Sequence, residues 1–419
     1  MRERTVDLHI HSKYSRACSN QLDLPNIAKA CVEKGIDIVS TGDFTHPAWF
    51  KDIQELLEED GSGLLKLKDK LSPTKFVIGT EISCVYKHGG KVRRLHILVF
   101  APSIKSAGAF ITALEALGVN LGSDGRPIMG LSGKKIVELC QQIDKRMVVI
   151  PAHAWTPWFA VFGSKSGYDS LEECFEELTS NIFAIETGLS SDPSMNRRVS
   201  QLDKIALISN SDAHSLEKLG REANVLNFEG EESYDKMWEI IKSGDKNKFL
   251  YTIEFYPGEG TYYYDGHSDC KVCMSPSETK EANGICTACE KKLTIGVLHR
   301  VEDLADKEED QISDNFVPHK YIVPLREIIA ECFDVGATSK KVENEYRMML
   351  RKFGNEFGIL LHANIAEIRA AVSDENIAFG IENMRKGMVK VVPGYDGVYG
   401  EVEVFPKGKT LKYSKIDLD

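Results

Sequence analysis

The sequence lacks any apolar run long enough to cross a membrane, and its beginning lacks the features of a secretory signal. A membrane-spanning helix needs about 18 or more consecutive, mostly uncharged apolar residues, and no segment approaches that length. The first residues, MRERTVDLHIHS, contain neither an apolar stretch nor a small-residue cleavage site. We therefore expect a cytoplasmic location and no insertion into a membrane.

An excess of positive charge is also absent. The chain has 52 Lys and Arg against 63 Asp and Glu, a formal net charge of −11. Because contacts with phosphate normally need a basic surface, this balance argues against a nucleic-acid-binding protein. From Phe316 to Asp419, however, the chain has 15 basic and 15 acidic residues. The acidic excess therefore belongs to the first three quarters, and the last quarter is neutral.

A disulfide framework is not expected, although the chain has ten cysteines. Six are scattered, and in the absence of a signal sequence we expect them to be reduced and buried as small apolar side chains. The other four lie close together, as Cys270-x-x-Cys273 and Cys286-x-x-Cys289. Two such pairs at this spacing predict a structural zinc ion held by four thiolates, with no open position for catalysis.

The pattern along the chain predicts three domains. Over residues 1–245, short β-rich runs alternate with amphipathic segments, which indicates an α/β domain with a largely parallel sheet, open or closed. Residues 246–300 contain the clustered cysteines and form a predicted small zinc-binding domain. Residues 301–419 are mostly helical in pattern, with a β-hairpin expected around Pro393–Gly397.

Side chains that bind metals follow several of the predicted strands in the first domain. His9 and His11 alternate at the end of the first strand, so both can face one metal ion. Other such residues are Asp43, His46, Glu81, His96, His153, Asp212 and His214. The carboxyl ends of barrel strands meet at one face, and imidazoles that converge there with carboxylates bind divalent metals. The sequence therefore predicts a multinuclear metal site.

This ordered set of residues resembles the PHP (polymerase and histidinol phosphatase) superfamily. The resemblance implies a distorted (β/α)7 barrel, phosphoester hydrolysis, and two or three divalent ions, which could be Zn, Mn, Mg or Fe. It implies that one metal is held by His9, His11, Glu81 and Asp212, which are also the expected catalytic residues. Glu81 would bridge to a second metal completed by His96 and His153. His214, with Asp43 or His46, would belong to a third.

The order of barrel, cysteine-rich segment and helical region further resembles the endonuclease Q family over essentially the whole chain. The matching segments are Thr41–Pro47, His153–Trp158, Phe162–Gly167, the cysteine pairs, Gly296–Ala305 and Pro393–Gly397. The resemblance implies a metal-dependent endonuclease that cuts DNA on the 5′ side of uracil, hypoxanthine, xanthine or an abasic site. DNA with such lesions is the expected partner, and a replication-clamp partner is not evident from the sequence.

Several residues are predicted to contact DNA, each with a structural alternative. Trp155, Trp158, Phe159 and Phe162 could stack on a displaced base or form a small hydrophobic core under a loop. Lys165 could contact phosphate through its Gly- and Ser-rich turn or lie in a flexible loop. Grouped cations of the last quarter could follow a DNA backbone or be ordinary surface charges: Arg385, Lys386, Lys407, Lys409, Lys412 and Lys415. His299 and Arg300 complete the predicted contacts.

Two other functions are consistent with parts of this pattern. A PHP phosphatase acting on a small phosphomonoester would need neither the cysteine-rich segment nor the helical region. A DNA-binding adaptor with an inactive barrel would not need a near-complete set of metal ligands. Release of phosphate from a monoester without any nicking of DNA would favour the first alternative, and a barrel that binds no metal would favour the second.

Overall fold

Residues 2–254 form an α/β domain, as the alternating pattern predicts. The computed structural model describes residues 2–313 and 315–405, so Lys407, Lys409, Lys412 and Lys415 lie outside the described residues. The strands of this part are β1 (Arg2–Asp7), β2 (Ile38–Ser40), β3 (Leu57–Glu59), β4 (Leu65–Leu67), β5 (Lys75–His88), β6 (Lys91–Ala101), β7 (Ile128–Met129), β8 (Val148–Pro151), β9 (Ala184–Glu186), β10 (Ala206–Ile208), β11 (Ala223–Phe228) and β12 (Phe249–Glu254). The helices are α1 (Leu24–Lys34), α2 (Pro47–Leu56), α3 (Ile104–Ala116), α4 (Gly133–Ile143), α5 (Leu171–Phe175), α6 (Pro193–Arg197) and α7 (Tyr234–Ser243).

Seven of these strands follow one another around a distorted barrel. β1, β2 and β5 pair in parallel, β6 pairs antiparallel with both β5 and β8, and β9 pairs in parallel with β10. Two backbone hydrogen bonds close the ring: Ala154 N donates to Glu186 O (2.9 Å) beside β8 and β9, and His11 N donates to Ala213 O (3.0 Å) beyond β1 and β10. The predicted (β/α)7 barrel is therefore confirmed.

The sheet is less parallel than the pattern predicts, because β5 and β6 form one long hairpin. Their turn is Gly89-Gly90, and both glycines have positive φ angles, 58° and 74°. Residues other than glycine rarely adopt such angles. The eleven residue pairs of the hairpin run from Ile78 opposite Ala101 to His88 opposite Lys91. As a result, β6 runs antiparallel to both of its neighbours in the barrel.

The barrel sheet continues beyond residue 245. β12 pairs antiparallel with β11 and in parallel with β15 (His319–Tyr321), so a strand of the predicted C-terminal domain joins this sheet. Between them lie a small hairpin, β13 (Asp265–His267) with β14 (Val272–Met274), and two helices, α8 (Pro276–Glu281) and α9 (Val297–Leu304). The cysteine-rich segment is therefore an excursion between two strands of one sheet.

The C-terminal part is helical and ends in a hairpin, which confirms the predicted pattern. Its elements are α10 (Leu325–Phe333), α11 (Lys340–Phe353), α12 (Ile365–Arg369), α13 (Asn376–Arg385), β16 (Lys390–Val392) and β17 (Glu401–Glu403). One buried apolar cluster runs from Ile10 in the barrel to Val404 beside β17. A buried ion pair, Lys34 Nζ to Glu356 Oε2 at 2.7 Å, adds a polar link between the barrel and the helices.

None of the helices in residues 2–313 and 315–405 combines the length and the apolar character that crossing a bilayer requires.

Candidate metal centre

Two groups of metal-binding side chains meet at the mouth of the barrel and share one carboxylate. The first group is His9, His11, Glu81 and Asp212, and the second is Glu81, His96 and His153. Within each group, one ligand atom from each residue lies within 4.8 Å of the others. All of the residues that the PHP resemblance assigns to the first two metals are therefore brought together.

Glu81 faces the two groups with different oxygens. Its Oε1 lies 2.7 Å from His96 Nδ1 and 3.1 Å from His153 Nε2. Its Oε2 lies 3.4 Å from His11 Nε2 and 3.6 Å from His9 Nε2. A carboxylate in this position can bind two metals at once, which is the role that the resemblance implies for Glu81.

Glu81 and His96 lie inside long strands, whereas the sequence pattern places them at strand ends. Glu81 is the seventh residue of β5, and His96 is the sixth of β6. His96 is paired with Ser83, which lies on the same face of β5 as Glu81 because side chains alternate along a strand. The hairpin therefore continues past the barrel mouth and forms one wall above the metal centre.

Strained backbone follows three other strands at the same end of the barrel. Asp43, His153 and Asp212 come soon after β2, β8 and β10 and have φ angles of 46°, 26° and 46°. Residues other than glycine rarely adopt positive φ, and such strain clusters at functional sites. The residue packed against His153 must be glycine, because a Cβ atom on Gly188 would lie 2.6 Å from the His153 Cβ. The backbone turns sharply at these points and directs the side chains into the barrel mouth.

Two buried carboxylates orient the first histidines. Both oxygens of Glu186 lie 3.0 Å from His9 Nδ1, and Asp43 Oδ1 lies 3.1 Å from His11 Nδ1. A carboxylate that accepts from Nδ1 leaves Nε2 free to bind a metal and fixes the ring. Glu186 also accepts from His153 N (2.7 Å). The sequence did not reveal Glu186 as a site residue, although it is the last residue of a predicted strand.

The charge and hydrogen-bonding state of this cluster fits a bound cation. His9 Nε2 is buried without a hydrogen-bond partner, 3.5 Å from Asp212 Oδ1 and 3.6 Å from Glu81 Oε2. Burial lowers the pKa of His9, but Glu186, Asp212 and Glu81 outweigh it and raise the pKa well above its usual value. Burial lowers the pKa of His96 to about 4 despite Glu81, so this imidazole is neutral and can act as a ligand.

The residues considered for a third metal do not converge in the described part of the chain. The oxygens of Asp43 are occupied by His11 Nδ1, Ser12 N (2.7 Å) and the hydroxyl of Ser15 (2.8 Å). His46 is stacked on Tyr14, with ring centroids 4.5 Å apart. His214 lies closer, with its ring 4.6 Å from that of His11 and its Nδ1 bonded to Asp212 O at 2.8 Å. Asp43 therefore supports His11, His46 is held against Tyr14, and His214 adjoins the ligand cluster through His11 and Asp212.

The cysteine-rich segment gathers a different ligand set from the predicted one. The four residues whose ligand atoms converge are His267, Cys270, Cys286 and Cys289. Cys273 is exposed, and its Sγ lies 4.0 Å from Pro393 O. In the hairpin, His267 is paired with Val272 and Gly266 with Cys273, so Cys273 lies on the opposite face from His267. Three thiolates and one imidazole form a closed zinc site as readily as four thiolates do.

A large cavity opens above the metal centre. Its volume is about 790 Å³, and its lining includes His96, His153, Asp212 and His214. All three predicted parts contribute to it: the barrel, the segment Gly260–Tyr262 and Tyr399 of the C-terminal turn. The cavity therefore lies at their junction, which no local sequence motif could have revealed.

The structure separates the aromatic residues that follow His153. Trp155 is 1% exposed, its indole N–H donates to Asn196 Oδ1 (2.7 Å), and its ring packs against Phe162 at 4.7 Å. These two residues belong to the hydrophobic core under the loop. Trp158 and Phe159 instead line the cavity. Only this second pair is placed to meet a ligand.

Within the described residues, four of the cations predicted to contact DNA are bonded to other groups of the protein. The Arg300 guanidinium donates to Phe162 O (2.8 Å) and Tyr168 O (3.0 Å), and that of Arg385 donates to Leu360 O and Ile359 O (both 2.7 Å). The ring of His299 is buried with its Nδ1 2.6 Å from Asp265 Oδ2, and Lys386 Nζ pairs with Glu382 at 2.6 Å. Lys165 lies on a separate groove, beside Arg93. We therefore do not retain Trp155, His299, Arg300 or Arg385 as DNA contacts.

One guanidinium that the sequence did not reveal reaches the metal centre. Arg126 Nη1 lies 3.0 Å from Glu81 Oε2, and its side chain is 26% exposed at the cavity. The preceding loop is fixed in place, because Gly125 N donates to Tyr14 O (3.0 Å) and a Cβ atom on Gly125 would lie 2.4 Å from Asp43 Oδ2. Arg126 occurs in a loop with no recognisable motif, so only the fold reveals its position.

Comparisons with known sequences connect this chain to two proteins. A family model described as the MJ0043 C-terminal domain matches residues 324–388. Protein MJ0043 of Methanocaldococcus jannaschii is 30% identical over 271 residues, 64% of this chain, which spans only 33% of that protein. Protein YqxK of Bacillus subtilis is 28% identical over an alignment 424 residues long. The alignment covers 96% of this chain and 100% of that protein.

Two solved structures match almost the whole chain. The lesion-specific endonuclease PfuEndoQ from Pyrococcus furiosus superposes with a TM-score of 0.84 at 29% identity, over 96% of this chain and 95% of that chain. Endonuclease Q in complex with a 27-mer duplex substrate, with an abasic lesion at the active site, superposes with a TM-score of 0.85 at 29% identity, over 97% of both chains. The chain is therefore structurally similar to endonuclease Q along almost its whole length and shares its fold from the barrel to the C-terminal helices.

Proposed function

We propose that this protein is a metal-dependent DNA endonuclease that cuts the backbone 5′ to an abasic site or a deaminated base (uracil, hypoxanthine or xanthine). The observation that carries the proposal is a complete ligand set for two metals at the floor of an open cavity. This set occurs in a chain that matches endonuclease Q bound to abasic DNA over 97% of its length. An adaptor with an inactive barrel would not need this set.

The barrel residues would hold two divalent metals, with Glu81 as the shared ligand. His9, His11 and Asp212 would complete one position, and His96 and His153 the other. Metals bound there would lower the pKa of water and neutralise charge on a phosphodiester. Their identity is open among Zn, Mn, Mg and Fe, and we assign a structural zinc to the cysteine-rich segment.

Arg126 is placed to bind the phosphate whose ester bond is cut. A planar guanidinium presents a fork of donors that matches two phosphate oxygens. A fixed cation beside metal ligands weakens metal binding by repulsion, unless an anionic substrate occupies the same site. The ion pair with Glu81 alone therefore does not explain why Arg126 lies here. In the proposed reaction, its N–H donors stabilise the charge that develops on the phosphate oxygens.

The cavity has room for a nucleotide that leaves the DNA helix. Its volume of about 790 Å³ falls in the range of roughly 300–1,000 Å³ that is usual for small-ligand sites. Trp158 and Phe159 line the cavity together with the ligands His153 and Asp212, and the ligands His9 and Glu81 are each only 1% exposed. A phosphate within the stacked duplex could not reach such buried groups, so the backbone must bend away from the helix at the lesion.

The test is a cutting assay on labelled duplexes that contain one abasic site, uracil or hypoxanthine, with and without Mg²⁺ or Mn²⁺. We expect metal-dependent nicking of the lesion strand and no nicking of the undamaged duplex. Mapping of the product ends identifies the side of cleavage, and the variant D212N serves as the control for contaminating nucleases. Phosphate release from a small monoester, without nicking of any duplex, would contradict the proposal.

A further inference from the structure

Tyr399 is an aromatic residue whose side chain is exposed to solvent at the rim of the cavity. It is 67% exposed, and Val398 before it is 40% exposed. Tyr399 lines the same cavity as His153 and Asp212 of the metal centre. Single exposed apolar side chains are common on protein surfaces, so the informative feature of Tyr399 is its position at the cavity that the metal centre adjoins.

The turn that carries Tyr399 is firmly attached to the segment before the cysteines. Gly394 N donates to Gly258 O (2.8 Å), Gly397 N to Thr261 O (2.9 Å) and Gly400 N to Glu259 O (3.0 Å). A carboxylate oxygen of Asp396 accepts from Ser268 N (2.7 Å) and from the Ser268 hydroxyl (2.9 Å). The backbone of the turn is therefore held on both sides of Tyr399.

Close packing of backbone on backbone makes this attachment rigid. A Cβ atom on Gly394 would lie 2.4 Å from Gly260 O, and one on Gly400 would lie 2.3 Å from Gly258 O. Only glycine is compatible with these distances. Because the turn is rigid, little conformational entropy is lost when the Tyr399 ring contacts another molecule, and this favours binding by Tyr399.

The chemistry of the turn selects the part of DNA that it can contact. Its sequence from Pro393 to Gly400, PGYDGVYG, contains no Lys or Arg and one acidic residue. Such a surface is poorly suited to phosphate, which is bound mainly by cations. Aromatic and small apolar side chains instead stack on bases or insert between them.

We propose that Tyr399 acts as a wedge: its ring stacks on the base pair next to the lesion and fills the gap left when the damaged nucleotide enters the cavity. This inference rests on the proposed function and adds a residue to it. The buried floor of the site requires the nucleotide to leave the stack, and a gap in the stack is unfavourable unless an aromatic ring fills it. Among the aromatic side chains of the described residues that line the cavity, Tyr399 is the one exposed to solvent, so its ring is available to the neighbouring base pair.

The activity test compares substrates that do and do not need to be opened. The full-length, metal-loaded variant Y399A is assayed on an abasic duplex, on the same strand alone, and on a duplex with three mismatches around the lesion. We expect at least about a tenfold loss on the intact duplex, the size usual for one stacking contact. The loss should be less than threefold on the other two substrates.

Two control variants define the chemistry. Y399F keeps the ring and should restore most of the activity on the intact duplex. Leu71, which is 86% exposed and does not line the cavity, gives a matched control: L71A also shortens an exposed apolar side chain and should cut every substrate at the wild-type rate.

A binding experiment supplies a readout that does not depend on cleavage. The non-cutting variant D212N is saturated with an abasic duplex that carries 2-aminopurine on the 3′ side of the lesion. Binding should change the 2-aminopurine fluorescence, because its stacking changes. Adding Y399A to D212N should reduce that change by at least half at saturation.

The outcomes separate this inference from the proposed function. If the wild-type chain cuts no lesion duplex, the proposed function fails whatever Y399A does. If the wild type cuts and Y399A cuts the intact duplex equally well, only the wedge is overturned. An equal loss by Y399A on intact, mismatched and single-stranded substrates would also overturn it, because the ring would then act within the cavity.

Discussion

The two proposed metal sites differ in what holds their ligands in place. In the barrel, His9 and His11 are buried, and each has its ring fixed by a carboxylate, Glu186 or Asp43. In the cysteine-rich segment, the ligands come from a hairpin of two three-residue strands and the turns around it, and Cys289 Sγ lies 3.4 Å from His267 Nδ1. The barrel would position its metals by itself, whereas a metal bound in the cysteine-rich segment would help to fold that segment. Substitutions at the two sites should therefore have different effects on activity and on folding.

The largest effect is expected from the replacement of a barrel ligand. D212N keeps the shape of the side chain but removes a charge that faces His9 and His11. We expect cutting of an abasic duplex to fall by about a thousandfold or more, because bound metals supply several kcal/mol of transition-state stabilisation. The thermal unfolding midpoint and DNA affinity should change little, since the fold holds the site. Normal turnover by D212N would refute the two-metal assignment.

The second-largest effect is expected from the replacement of Arg126, the cation beside the shared carboxylate Glu81. R126A should lower kcat for the abasic duplex by about 10²–10³-fold, the usual cost of removing one preorganised donor to a developing oxyanion. R126K should recover only part of this loss, because lysine retains the charge but not the fork of donors. Metal content measured by elemental analysis should not fall, because removal of the cation reduces repulsion of the metals. Loss of metal in R126A would show that the residue supports the ligands instead of the substrate.

A smaller effect is expected from the carboxylates behind the histidines. E186Q and D43N should each lower activity at limiting Mn²⁺ by about 10–100-fold, the range found for residues that orient metal ligands. Excess Mn²⁺ should restore most of the activity, because the metal ligands themselves are intact. A titration of activity against metal concentration measures this. If excess metal gives no recovery for D43N, Asp43 would have to be a ligand itself.

The smallest effect on the barrel is expected from changes in the cysteine-rich segment. H267A should lose the segment's zinc, and C273S should keep it, as measured by elemental analysis of the full chain. In H267A, limited proteolysis should attack residues 257–300, while the barrel keeps its own metals and its thermal stability. Zinc loss in C273S but not in H267A would restore the four-cysteine site and reverse the assignment made from the structure.

The sequence predicted the dispersed ligands of the barrel better than the compact cysteine motif. Histidines and acids after successive strands must converge in a barrel, because the ends of its strands share one face. The motif Cys270-x-x-Cys273 predicted both cysteines as ligands, but pairing of β13 with β14 turns Cys273 to the other face and brings in His267. Spacing along the chain cannot reveal which face of a hairpin a residue will occupy.

The sequence by itself determined the class of the fold, the helical C-terminal part and the metal-binding residue types that the structure gathers at the barrel mouth. These follow from local periodicity and from residue types that suit only a few roles. Only the tertiary structure decided which cations and aromatic rings serve the site. Arg126, Glu186 and Tyr399 reach the cavity from separate parts of the chain, whereas Trp155 and Arg385 are used for internal packing and hydrogen bonds. The burial of a side chain and its hydrogen-bond partners depend on contacts between residues far apart in sequence. A local sequence pattern does not reveal those contacts.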